Sequence, residues 1–283
     1  MILVDIGNSG LKAVAMAAVP TGDMPHSQFL SRVIKLSWSA IGEEIRKVRP
    51  EQVAASGERW SELGDADALR WVVSQFASAR CLDWRIASVN SHVHELLSDC
   101  ILKTHPRARI RQVQSHDVGL PLQVDFPDKV GIDRLLAARA AVRVVQHMGP
   151  AQTAVIVVQA GTALTVDWVD EKGAFCGGAI LPGVGLSLQY LAAGTDKLPW
   201  LPSQSITDYP SLPGKNTEQA IAAGVHAAVV GGARFLIERY RHERAIPVVV
   251  SGGDGQLLRS VIEPPVHFVE NLVLVGLSLC QTK

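Results

Sequence analysis

Asp5, Lys12, Asp133 and Arg134 are the residues of this chain whose types and surroundings can do chemistry. The apolar run Met1 to Val4 leads into Asp5, and Gly7, Asn8, Ser9, Gly10 and Lys12 follow at once. A glycine-rich turn after a buried strand points several backbone N–H groups outward, where they can cradle phosphate oxygens. Asn8 and Ser9 add side-chain donors, Lys12 adds a positive charge, and an acid at a strand tip suits a hydrated Mg²⁺. The plain alternative is a hairpin with a polar turn. Two more small-residue turns follow apolar runs: Ala160-Gly161-Thr162, and Ser251-Gly252-Gly253-Asp254-Gly255. Three such turns can converge on one triphosphate and its nucleoside. No GxxxxGK[ST] is present, and no GxGxxG follows a strand, so neither a P-loop nor a dinucleotide fold is supported. In VGIDRLLAARAA, Gly131 lets the backbone approach a ligand. Asp133 can accept a proton from a hydroxyl nucleophile, and Arg134 can grip a carboxylate or phosphate with two hydrogen bonds. The plain alternative is a helix start with Asp133 near its positive end.

The elements that must position these residues come in two similar sets. ILVDIGNSGLKAVAMAAV predicts strand, tight turn, strand, because glycine and small polar residues crowd its middle. SRVIKLSW alternates as a third strand. IGEEIRKVRPEQVAAS predicts a helix stopped by Pro50 and then a short strand. DADALRWVVSQFASAR is an amphipathic helix with Asp65 or Asp67 as cap. WRIASVN is a strand leading into SHVHELLSDCILKTH, a helix that Ser91 can cap. A helix is expected to start near Gly131. From residue 154 the order repeats: AVIVVQAGTALTVDWVDEKGAFCGGAILPG gives two or three strands with a glycine turn after the first. Helices LSLQYLAA and TEQAIAAGVHAAVVGGARFLIERYRHE follow, and IPVVVSGGDGQLLRSV is a further strand, glycine turn and helix. VVQAGTALTVDW parallels LVDIGNSGLKAV, which points to a duplicated α/β unit. The expected domains are 1–125 and 126–283. LPWLPSQSITDYPSLPGKN is expected to be a surface loop.

Global properties exclude some partners. The 283 residues carry 27 basic and 27 acidic side chains, so no net field favours nucleic acid or an anionic membrane. No unbroken apolar run of about 18 residues predicts a membrane span. The four cysteines form no CxxC pair and read as reduced structural thiols of a cytoplasmic protein. His92, His94 and His105 lack an acidic or thiol partner and are expected at the surface rather than on a metal. RFLIERYRHERA is expected to be a solvated helix face.

Taken in order, these stretches resemble the type III pantothenate kinases, nearly end to end. DIGNSGLK is similar to the family's first phosphate motif, DFPDKVGIDR to its substrate and catalytic motif, and AGTALTVD to its second phosphate motif. GGAILPG, KLP, KNTEQAIAAGV and VVVSGGDGQLL follow in family order. The resemblance implies two ribonuclease-H-like domains of the acetate kinase, hexokinase and actin superfamily, with ATP in the cleft between them, and a cytoplasmic homodimer. It implies a phosphotransferase that makes 4'-phosphopantothenate from pantothenate and ATP at the start of coenzyme A biosynthesis. By position, Asp5 holds Mg²⁺ through water, and Gly7, Asn8, Ser9 and Lys12 wrap the ATP phosphates, joined by Gly161 and Thr162. Gly131, Ile132, Asp133 and Arg134 bind pantothenate, with Asp133 as the base. Thr217 reaches that site from the neighbouring subunit.

Two positions depart from the family pattern. The family reads D-x-G-T before its second glycine turn, where the aspartate serves a monovalent cation, potassium or ammonium. Here Gln159 stands in that place. Losing a carboxylate weakens a hard-cation site, so the cation requirement is open. The family's usual tyrosine seven residues before the catalytic glycine is Val124. Gln159 also gives a foothold to a second possibility, a weak or inactive homologue that binds nucleotide as a regulatory or accessory factor. The retained Asp5, Lys12, Asp133 and Arg134 argue against that.

Overall fold

Strand β1 (Ile2–Ile6) is buried at every position except Asp5, which is half-buried. A turn closed by the Gly7 N–H donating to the Gly10 carbonyl at 2.9 Å returns the chain as β2 (Gly10–Ala15). The computed structural model describes residues 1–16, 33–37, 61–76, 83–148, 154–206, 210–259 and 261–280. The expected helix and strand of IGEEIRKVRPEQVAAS lie outside them. The described chain divides into two compact units that are not successive stretches of sequence. Unit 1 comprises residues 1–119, 131–136 and 273–283; unit 2 comprises 120–130 and 137–272.

In unit 1, β3 (Ile34–Ser37) pairs with β2, while β4 (Asp83–Ser88) runs parallel to β1 and β5 (Arg109–Gln112) parallel to β4. The sheet order is β3-β2-β1-β4-β5. Helices α1 (Ser61–Ser74) and α2 (Ser91–Thr104) supply Leu69, Val72, Val73, Val93, Leu97 and Ile101 to a core shared with Val4, Ile6, Trp84 and Ile86. Phe76 meets Trp84 edge to face at 5.6 Å. Two expected caps differ. The α1 helix starts at Ser61, so Asp65 and Asp67 lie inside it. Asn90, not Ser91, caps α2, its side chain accepting from the Val93 N–H at 3.2 Å.

Helix α3 (Ile132–Gln146) starts as expected beside Gly131; its first turn counts with unit 1 and the rest with unit 2. Unit 2 builds β6 (Val155–Ala160), β7 (Ala163–Val169), β8 (Phe175–Pro182), β9 (Val248–Ser251) and β10 (Val266–Phe268) into a sheet of order β10-β9-β6-β7-β8. Strand for strand this repeats unit 1: a central strand, two antiparallel neighbours on one side, two parallel ones on the other. The duplication is that of ribonuclease-H-like α/β folds. Helices α4 (Val184–Ala193), α5 (Thr217–His226) and α6 (Gly232–Arg241) follow β8, with a wide turn at Ala227–Gly231 joining α5 to α6. The run Thr217–Arg241 is long and apolar enough to cross a membrane by composition. One stripe of it, Ile221, Val225, Val229, Val230, Ala233 and Ile237, joins Ile156, Val158 and Val250 in the core cluster of unit 2, as the apolar face of an amphipathic helix does. The helix expected after β9 is a 3₁₀ run, Gly253–Leu258, because clustered glycines from a Gly252 at φ 103° favour the tighter turn.

Helix α7 (Leu272–Ser278) closes the chain, and all but its first residue belongs to unit 1. A Cβ on Gly276 would lie 2.0 Å from the Leu136 carbonyl, so only glycine permits this approach to α3. Arg85, buried in β4, donates from Nη1 to the Cys280 carbonyl at 2.9 Å.

Candidate functional site

Unit 1 carries several of the predicted residues on a hairpin and at a helix start. Asp5 and Lys12 are register partners across β1 and β2, so their side chains share one face of the sheet. Asn8 and Ser9 are exposed at the tip of the turn between them. Burial pushes the Asp5 carboxyl up to about 6; the Lys12 charge opposes this and the charge of Asp133 adds to it. That mutual influence places Asp133 near Asp5. Asp133 is itself pushed up by burial, against the opposing hydrogen bond from the Arg134 N–H at 2.9 Å and the Arg134 charge. Gly131 has a physical reason for its identity: a Cβ there would stand 2.5 Å from Asp133 Oδ1. Gly131, Ile132, Asp133 and Arg134 are all half-buried, open enough to meet a ligand. Asp5 and Asp133 are thus two carboxylates raised by burial, each opposed by one cationic neighbour, Lys12 and Arg134. This donor set fits a divalent cation, which takes oxygen ligands and binds through one or two carboxylates.

Unit 2 assembles a second, phosphate-sized turn. Gly161 and Thr162 are exposed between β6 and β7, and the Gly161 N–H donates to the Ala163 carbonyl at 3.2 Å. Two other glycine segments press against this turn. The Gly183 N–H donates to the Thr162 carbonyl at 2.9 Å, and a Cβ on Gly183 would lie 2.0 Å from the Gly161 carbonyl. A Cβ on Gly252 would lie 2.1 Å from the Ala160 carbonyl. The Gly252 segment therefore lies directly against the end of β6 that leads into the Gly161 turn. Asp254, in the same glycine segment, is raised by burial.

Gln159 ends a polar row across the sheet of unit 2. Its register partners are Thr165 on β7 and Ser251 on β9. Sequence reasoning did not single out Thr165. The signal was there in β7, where Thr165 and Asp167 alternate with the core residues Leu164 and Val166. Val124 packs near Gly177, whose Cβ would come 3.5 Å from Val124 Cγ1. Thr217 is exposed in the first turn of α5, whose start is fixed by the Asn216 side chain accepting from the Gln219 N–H at 2.8 Å. A cavity of about 420 Å³ in unit 2, lined by Trp168, Cys176, Tyr240 and Arg244 among others, contains none of the predicted residues. Among the described residues no cluster of three or more His, Cys, Asp or Glu side chains is placed to hold a metal ion.

Comparison with known proteins accounts for this arrangement. The family model for type III pantothenate kinase matches residues 1–239. A type III pantothenate kinase of Rhodopirellula baltica is 35% identical over 98% of this chain and 96% of its own. That of Synechococcus elongatus is 37% identical over 59% of this chain and 64% of its own. Among solved structures, a Baf family protein from Campylobacter jejuni superposes with a TM-score of 0.54 at 19% identity, covering 98% of this chain and 94% of the other; that likeness concerns the fold. On the family model and on the Rhodopirellula relative, the chain belongs to the type III pantothenate kinase family.

Proposed function

We propose that this chain transfers the γ-phosphoryl group of ATP to the primary hydroxyl of pantothenate, giving 4'-phosphopantothenate, the first step of coenzyme A biosynthesis. Family membership supports the reaction, and one observation carries the assignment of its base. Asp133 is held against Gly131, with a carboxyl pushed above its ordinary value. A raised carboxylate is a better proton acceptor near neutral pH. Asp133 takes the hydroxyl proton as the oxygen attacks the γ-phosphorus in line. Arg134 and the backbone at Gly131 and Ile132 orient pantothenate. The Gly7–Lys12 turn and the Gly161-Thr162 turn hold the phosphates through N–H groups, hydroxyls and the Lys12 ammonium. Mg²⁺ held by Asp5 would neutralise charge on the transferring group. Most of the acceleration then comes from positioning and charge neutralisation.

ADP release with ATP, Mg²⁺ and pantothenate tests this. Turnover that needs pantothenate and falls by about a hundredfold or more in Asp133→Asn is expected. Turnover unaffected by that substitution sinks the assignment of the base, and none in the unaltered chain sinks the kinase. The protein acts as a cytoplasmic homodimer in this proposal, with Thr217 contributing to the partner's pantothenate site. Light scattering at twice the mass of one chain is expected, and a strict monomer contradicts it.

A further inference from the structure

In the family pattern a carboxylate beside the second phosphate turn serves a monovalent cation, and the row of described residues at that place carries none. The position that would carry its carboxylate is Gln159, and the residues beside it in register are Thr165 and Ser251. Side chains of register partners project to the same face of a sheet, so these three neutral groups form one row at the end of β6 next to the turn. Asp167, opposite Val157 and two register positions from Thr165, is fully buried and already engaged in its own interaction. The residues of the row therefore offer such a cation neutral oxygens and no negative charge.

The row is nonetheless built for a ligand. Thr165 is only 7% exposed, and its buried Oγ1 has no hydrogen-bond partner among the described residues. A buried hydroxyl left unpaired costs free energy unless something arrives to use it. Ser251, at 9% exposed, has a hydroxyl that accepts only a long bond from the Leu272 N–H at 3.4 Å. Gln159 is half-buried and can turn an NH₂ outward, which a carboxylate in its place cannot do. A carboxylate beside a nucleotide phosphate sets two anions together, and a cation must then lie between them. An amide removes the repulsion and supplies a donor instead.

We infer that the second phosphate turn binds a nucleotide phosphate oxygen directly, through the Gln159 carboxamide braced by the Thr165 hydroxyl, and that the protein needs no monovalent cation. This deepens the kinase proposal and rests on it for the identity of the nucleotide.

The test is ADP–Mg²⁺ affinity by thermal shift of the full chain in matched KCl, NaCl and choline chloride, alongside pantothenate-dependent turnover in the same salts. The unaltered chain is expected to agree within about twofold across all three salts in both measurements. Gln159→Asp is expected to bind and turn over at least tenfold better in KCl than in choline. Gln159→Leu, which keeps the bulk but not the donor, is expected to bind ADP about tenfold more weakly in every salt. A tenfold or greater preference of the unaltered chain for KCl overturns the inference, as does an ADP affinity untouched by Gln159→Leu. Salt-independent ADP binding without pantothenate turnover sinks the choice of pantothenate and leaves the cation-free turn standing.

Discussion

Asp5 shows how a buried carboxylate opposes the stability of the fold that holds it. Its folded value of about 6 lies above the ordinary 3.8. A group raised in this way favours the fold below the unfolded value, and that contribution is lost as pH rises through about 6. Asp5→Asn, neutral at every pH, should therefore be more stable than the unaltered chain at pH 8 in metal-free buffer, by on the order of 2 kcal/mol. The gain should vanish near pH 3.5. Chemical denaturation at the two pH values measures it, and an equal difference at both contradicts the assigned burial effect. The same variant should lose about a hundredfold or more of its Mg²⁺-dependent turnover. The pairing of Asp5 with Lys12 was legible in the sequence, because a four-residue turn between two apolar strands fixes the register. The role of Thr165 was not, since a threonine in a strand is ordinary until its hydroxyl is found without a partner.

The elements around the second turn depend on glycines that meet backbone rather than side chains. A Cβ on Gly183 would stand 2.0 Å from the Gly161 carbonyl and 2.7 Å from that of Thr162. Backbone on both sides cannot rotate away as the tip of a side chain can. Gly183→Ala should cost roughly 1–3 kcal/mol and weaken ADP binding about tenfold. Urea unfolding with isothermal calorimetry checks both, and unchanged ADP affinity would show that the turn shifts harmlessly. Hairpins β1–β2 and β6–β7 could be read from alternation broken by glycine. β5 could not: Arg109–Gln112 is four residues with two arginines, too short and polar to carry a periodic signal. The α2 cap was misread by one place, because Asn90 and Ser91 are adjacent and equally good caps, and only the backbone decides between them.

At the scale of the molecule, duplication was legible and interleaving was not. Equivalent strand orders leave a repeated pattern in the sequence, whereas a unit completed by residues 273–283 leaves no local trace. The terminal segment buries Val273, Leu274, Val275 and Leu277 and receives the Arg85 guanidinium. Removing residues 273–283 should therefore unfold unit 1 selectively, deleting several buried side chains and stranding a buried charge. Limited proteolysis should then cut within residues 1–119 while leaving 154–272 protected. Equal protection of both stretches would show that unit 1 stands without its tail. The same arrangement bears on synthesis. Translation delivers the Asp5 turn long before residues 273–283, which belong to the same unit, so the segments of unit 2 are all made before those of unit 1 are complete. Residues made early in unit 1 wait for these neighbours, and a chain broken off at residue 272 forfeits the surroundings of Asp5 and Asp133, encoded long before the break.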